Sequence, residues 1–175
     1  RNQRYKTSDG YISRFTQNIP LISESYTLIN SYDYKIYNEW LDENIFSIGF
    51  FGKTATSLSG KDIKLSDRLF LPSSKLRGFE SGKVGPKDGA DYIGGNYAAS
   101  INIATSLSQI LPNSQNTNFS IFFDAGNVWG IDYSSSLSDE SKIRSSVGIA
   151  VDFFTPVGPL NFSLSEAITK GKNDI

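Results

Sequence analysis

Bulky apolar residues fall on every second position in segment after segment of this chain, and that period of two constrains the fold more than any other feature. It is the side-chain period of a β-strand with two chemically different faces. In 145–154 the apolar set is Val147, Ile149, Val151 and Phe153, against Ser146, Gly148, Ala150 and Asp152. In 119–129 Phe119, Ile121, Phe123, Ala125, Asn127 and Trp129 alternate with Ser120, Phe122, Asp124, Gly126 and Val128. Tyr97, Ala99, Ile101, Ile103 and Leu107 alternate with Ala98, Ser100, Asn102, Ala104 and Ser106. Leu160, Phe162 and Leu164 repeat the habit, as do Tyr26, Leu28, Tyr32, Tyr34 and Ile36, and then Phe46, Ile48 and Phe50. Segment 10–19 shows it more weakly. These seven segments predict antiparallel strands over 10–19, 26–37, 44–55, 96–107, 119–127, 145–154 and 160–167, laid side by side in one curved sheet.

No run approaches the roughly 20 apolar residues of a membrane helix, but a spanning β-strand needs only about 9–11 residues, every other one apolar. A mean hydropathy of -0.28 therefore leaves a membrane barrel open. Cys, His and Met are absent, which excludes disulfides, thiolate metal sites and His-based triads. Seventeen basic against 18 acidic residues leave no positive surplus for nucleic-acid phosphates. No cofactor and no nucleic-acid partner is expected. The chain opens on Arg1 with no signal-peptide pattern and closes on Lys172-Asn173-Asp174-Ile175. The expectation is therefore a piece of a longer precursor.

The links differ in length. Segment 155–159, Thr-Pro-Val-Gly-Pro, reads as a tight turn, and 18–25 and 111–118 are short. Segment 71–93 is long and Gly-rich, and 130–142 is long and rich in Ser and Asp. Short turns and long loops in alternation are the habit of an outer-membrane barrel. A soluble β-sandwich also alternates, but its polar faces carry Lys, Glu and Thr. Here Ser, Ala, Asn and Gly oppose the bulky residues, and in the second half the charges gather in the links. The expected fold is thus all-β, an antiparallel transmembrane β-barrel in partial form. Phe119, Ile121, Phe123, Val147, Ile149, Val151, Phe153, Phe162 and Leu164 are expected to face lipid. Ser120, Asp124, Ser146, Gly148, Asp152 and Ser163 are expected to face the interior.

Two features stand out against that background. Arg77-Gly78-Phe79 places a planar fork donor, a flexible glycine and an aromatic side chain inside the long link. Asp124, in Phe122-Phe123-Asp124-Ala125-Gly126, puts a carboxylate on the small-residue face of an apolar strand, where it needs a partner or water. Arg144 and Asp152 occupy the same type of face on the next strand. Gly94-Gly95-Asn96 precedes a strand rather than opening a helix, so it is not read as a nucleotide loop.

Arg77-Gly78-Phe79, Gly94-Gly95-Asn96, Phe122-x-Asp124-x-Gly126 and Thr155-Pro156-Val157-Gly158-Pro159-Leu160 occur in an order and spacing that resemble the bacterial surface antigen superfamily of outer-membrane proteins, above all its barrel-assembly insertases. The resemblance covers most of 71–167. It implies that residues 1–175 form the carboxy-terminal portion of a barrel, the first and last strands and the soluble periplasmic repeats lying outside the chain. It implies an external loop, at about 71–93, that folds inward and is locked by Arg77, Gly78 and Phe79 against Asp124 and Gly126. Many members add an acidic residue on the strand after Gly-Gly-Asn. This chain has Asn102 near that place, facing the same side, so a wider lumen network would draw on Asn102, Arg144 and Asp152. The implied function is the folding and insertion of β-barrel proteins into the bacterial outer membrane. It makes or breaks no bond and is not enzymatic. The implied partners are outer-membrane lipid, unfolded β-barrel clients and accessory lipoproteins of an assembly complex. A two-partner secretion transporter of the same superfamily is the alternative, and a passive porin a more distant one.

Overall fold

The computed structural model describes residues 9–20, 26–40, 44–110, 116–132 and 142–171. Seven long strands build one antiparallel sheet. They are β1 (Gly10–Asn18), β2 (Thr27–Trp40), β3 (Asn44–Ser57), β6 (Tyr97–Ser106), β7 (Thr117–Trp129), β8 (Arg144–Thr155) and β9 (Gly158–Thr169). Each pairs with its neighbour in the order β1-β2-β3-β6-β7-β8-β9. The segment between β3 and β6 carries a small hairpin of its own, β4 (Lys87–Asp88) and β5 (Asp91–Tyr92). Asp88 pairs with Asp91 across the two-residue turn Gly89-Ala90, where Gly89 takes the positive φ, +61°, that such turns need at their first position. No described helix is long and apolar enough to cross a membrane, so crossing falls to the strands. The 12 residues of β8 and 13 of β7 exceed the about 9–11 that a tilted strand needs.

The alternation becomes two faces. On β7 Ile121 and Phe123 are exposed on the outer surface while Ser120, Phe122 and Asp124 are buried inside. Val147, Ile149, Phe153, Phe162 and Leu164 lie exposed on the outer face, while Phe119 and Val151 are half-buried there. Aromatic pairs border this face at both ends. Tyr97 and Trp129 stack at 5.8 Å at one end, and Phe153 and Phe162 meet edge to face at 6.0 Å at the other. Thr117, paired with Phe153, lies at the opposite end of β7 from Trp129. At about 3.3 Å per residue and a tilt near 40°, this separates the belts by about 30 Å, close to the apolar band of an outer-membrane barrel.

The links depart from a strict short-long alternation. Segments 58–96 and 130–143 leave the sheet at the end marked by Tyr97 and Trp129, called here the loop end, but so does the short segment 19–26. The β8–β9 connection is tighter than the sequence suggests. Thr155 pairs with Gly158 around Pro156-Val157, and the Thr155 hydroxyl donates to the Gly158 carbonyl at 2.6 Å.

The sheet is strongly curved, and chain geometry shows why. Asp33 on β2 and Ser165 on β9 stand five places apart in the strand order. A flat sheet would separate them by roughly 24 Å. Yet Lys75 reaches Asp33 at 2.6 Å, and Gly78 lies against Ser165. One cavity is lined by Asp33, Lys35 and Tyr37 of β2 together with Asn161 and Ser163 of β9, so the sheet wraps around the loop. The core lies where they meet. Leu69, Leu71, Leu76, Phe79 and Val84 of the loop pack on Ala55, Ala98 and Val128 of the wall. The concave face thus carries a plug at the loop end and, towards the turn end, a polar cavity of about 750 Å³.

Candidate functional site: the loop tip on the barrel wall

The site is built on three adjacent strands. Register aligns Asn102 with Asp124 and Asp124 with Ser146, so the three inward side chains form one line across β6, β7 and β8. Asp124 and Ser146 are fully buried. The loop brings Arg77 onto this line. Its Nε donates to Asp124 Oδ2 at 2.6 Å and its Nη2 to Oδ1 at 2.7 Å. This is the two-pronged geometry that matches guanidinium to carboxylate. The Arg77 backbone N–H adds a third bond to Oδ2 at 3.1 Å. Asn102 Nδ2 donates to Asp124 Oδ1 at 2.9 Å and to the Lys75 carbonyl at 3.0 Å. The Ser146 hydroxyl donates to the Arg77 carbonyl. The carboxylate, which could not stay charged and bare in so dry a place, is thus surrounded by four donor bonds.

Two features seat the arginine. The guanidinium lies over the Phe122 ring, 3.4 Å from its centroid, so ring and carboxylate of one strand hold its face and its edge. Gly148 makes room for this ring, since a Cβ there would stand 2.6 Å from the Phe122 tip. Gly78 turns the chain at φ +87°, where a Cβ would also come within 3.1 Å of Ser146 and Ser165. Gly126 admits the base of the loop: a Cβ would meet the Ala99 carbonyl at 2.8 Å and Leu71 at 3.3 Å. Phe79 is buried in the plug core.

The structure does not join the other expected lumen residues into a single network. Asn102 belongs to the Asp124 cluster, but Arg144 and Asp152 do not. Arg144, at the loop end of β8, donates to Asn127 Oδ1 at 2.6 Å and to the Lys142 carbonyl at 2.9 Å. Asp152, near the turn end, accepts from Asn118 at 3.2 Å and Asn161 at 2.5 Å. Ser146, Gly148 and Ala150 lie between them on the same face, which holds the two groups apart along the strand. A shared face gave them one orientation, not one position.

Three elements escaped the sequence. Lys75 forms an ion pair with Asp33 at 2.6 Å and lies over the Phe51 ring at 5.1 Å, so the tip touches the far wall as well. Asp33, a carboxylate on the inner face of β2, was the available signal. Phe122 was a bulky residue on a small-residue face and could have been singled out for that. Arg68, with its side chain fully buried, donates to Asp132 at 2.5 Å and so ties the two long loops together. Burial alone would raise the Asp132 carboxyl. The Ile63 N–H at 2.8 Å, its own backbone amide and the Arg68 charge outweigh that and hold it below its ordinary 3.8. No local pattern marks this pair.

An antiparallel sheet with an apolar outer band, two aromatic borders and an inward loop defines a transmembrane β-barrel protein with a plugged lumen. Comparison with known proteins gives the family: the Omp85 superfamily domain matches residues 1–175, and the chain belongs to that superfamily. It is 29% identical over 119 residues to the outer membrane protein assembly factor BamA of Neorickettsia risticii, covering 66% of this chain and 16% of that protein. It is 33% identical over 124 residues to a SAM50-like protein of Schizosaccharomyces pombe, covering 65% and 26%. BamA of Neisseria meningitidis serogroup B is 30% identical over 128 residues, covering 57% and 16%. The crystal structure of Haemophilus ducreyi BamA lacking POTRA domains 1–3 superposes with a TM-score of 0.83 over 99% of this chain and 38% of that one, at 23% identity. The chain therefore matches only a fraction of the length of these relatives. It is an outer-membrane protein of the BamA-like type.

Proposed function

We propose that this chain is the carboxy-terminal part of the barrel of an assembly factor that folds and inserts other β-barrel proteins into the bacterial outer membrane. Its partners in this reading are outer-membrane lipid, unfolded β-barrel clients and accessory lipoproteins, and the work involves no bond chemistry and no cofactor. The observation that carries the reading is the inward loop tip fixed by Arg77 on Asp124, within a chain of the Omp85 superfamily whose relatives include proteins named as assembly factors. In this reading the pair holds the loop in the working position. The apolar plug at the loop end speaks against a passive porin, which needs an open aqueous path.

The test is depletion of the native protein in its host, complemented by variants of the intact protein. Arg77→Ala and Asp124→Asn should lower the folded, heat-modifiable fraction of several unrelated outer-membrane barrels together, at unchanged variant abundance. The exchange Arg77→Asp with Asp124→Arg should restore part of it, whereas Arg77→Lys should restore little because lysine lacks the fork. Loss of a single secreted exoprotein with normal barrel levels would instead identify a secretion transporter of the same superfamily.

A further inference from the structure

The outer face holds a feature that neither the lock nor the plug uses. Register places Phe15, Tyr32, Gly52 and Ala99 in one outward row across β1, β2, β3 and β6. At the middle of the row Gly52 and Ala99 offer only a hydrogen and a methyl. Phe15 and Tyr32 rise on one flank, and Tyr97 and Trp129 on the other. Together they leave an apolar furrow of about 250 Å³. Two residues nearer the loop end, the next row reads Gln17, Asn30, Thr54, Tyr97 and Trp129. Its first three members form an uncharged polar ledge. Gln17 Nε2 donates to Asn30 Oδ1 at 2.7 Å, so Asn30 presents its amide protons, beside the Thr54 hydroxyl.

We propose that this furrow seats one acyl chain of a membrane glycerolipid, with the lipid's ester oxygens on the ledge. Three observations carry the assignment. The furrow is continuous with the outer band formed by Phe50, Ile101 and Ile121, the surface that this outer-membrane protein turns to hydrocarbon. It lies at the level of the stacked Tyr97–Trp129 pair, where amphipathic rings mark the border between acyl chains and head groups. Its ledge offers hydrogen-bond donors at the depth of the ester linkages, and polar groups facing lipid need such acceptors. A client polypeptide strand does not fit as occupant. The floor strands β3 and β6 are hydrogen-bonded to a neighbour on both sides and have no edge left to pair. The ledge carries no charge, so the seat reads ester oxygens and chain rather than head-group charge.

The experiment uses the intact protein reconstituted in vesicles of phosphatidylethanolamine and phosphatidylglycerol, doped with either lipid carrying a photoreactive group on one acyl chain. Cross-linked residues are mapped by mass spectrometry. Labelling around Gly52 and Tyr97–Ala99 should exceed that at Ile149 and Leu164 severalfold, to the same extent with either head group. Ala99→Leu, which fills the furrow from an outward position, should bring it down to the level of the other positions. Asn30→Leu with Thr54→Val, which removes the ledge without blocking the furrow, should lower it partway. A heat-modifiable gel shift checks that each variant is folded. Equal labelling at all outward positions, or labelling unchanged in Ala99→Leu, would overturn the proposal and leave only the ordinary lipid annulus. A strong preference for one head group would overturn the ester-ledge assignment.

Discussion

The two sides of the sheet dress the same architecture differently. On β7–β9 the inner face is mostly small, with Ser120, Ser146, Gly148 and Ser163, and carries Asp124 and, nearer the turn end, Asp152 as its acidic groups, and the outer face is aliphatic and phenylalanine-rich. On β1–β3 the inner face carries Arg14, Asp33, Lys35 and Lys53, and the outer face mixes Tyr11, Tyr32 and Tyr34 with Ser13, Gln17 and Asn30. The loop tip touches both sides with a cation each. Arg77 meets a carboxylate that is fully buried, whereas Lys75 meets one that is 35% exposed. Distance is the same 2.6 Å in both pairs, so length of contact does not decide their strength. Water does: it screens the Lys75–Asp33 pair beside the open cavity and is excluded from Asp124.

The largest effect should therefore come from the dry side. Arg77→Ala leaves Asp124 buried without its cation, at a cost of about 3–5 kcal/mol in urea unfolding from vesicles. A loss below about 1 kcal/mol would erase the contrast between the two sides. Next comes the outer face of the same wall. Ile149→Arg should cost roughly 2–4 kcal/mol if the residue sits near the bilayer midplane, measured by the same unfolding. Ser163→Arg, on the inner face and open to the lumen, should cost far less; equal losses would mean that the faces are misassigned. Gly78→Ala forces a side chain into left-handed backbone and against Ser146. A penalty of roughly 1–2 kcal/mol should appear as faster amide exchange confined to the loop. On the wet side Lys75→Ala should cost about 1 kcal/mol or less, and the difference should shrink as salt is added.

The smallest effect concerns the clamp between the long loops. The Asp132 carboxyl is depressed in the folded protein, so its contribution is full above the ordinary 3.8 and is lost only as pH falls through the lower folded value. Proteolysis of the loops should accordingly be unchanged from neutral pH down to about pH 4 and rise only below it. Asp132→Asn should make the loops protease-sensitive already at neutral pH.

Strands and faces were legible because a period of two is local and a one-residue error would have shown at once. Phe123 outside and Asp124 inside follow directly from it. The small hairpin was legible in principle from Gly89, which takes the positive φ at the first position of its turn. The grouping of charges was not. Alternation states which way Arg144 and Asp152 point, but not how far along the strand a partner stands. Lys75–Asp33 and Arg68–Asp132 join residues 42 and 64 positions apart, and no local pattern encodes such a meeting. Arg77 and Asp124, 47 positions apart, came within reach only through a set of motifs taken together.

The line of Asn102, Asp124 and Ser146 has one more consequence, for folding. These three residues sit on three strands, and the loop tip bonds to all of them. A slip of one residue between β6 and β7, or between β7 and β8, would turn at least one of them outward. A slip that turns Asp124 out puts a carboxylate in hydrocarbon and brings Arg77 over a wall without its partner; one that turns Asn102 or Ser146 out strips the tip of a hydrogen bond to Lys75 or Arg77. Docking of the tip therefore works as a checksum on the register of the finished wall, read at one point after the strands have zipped.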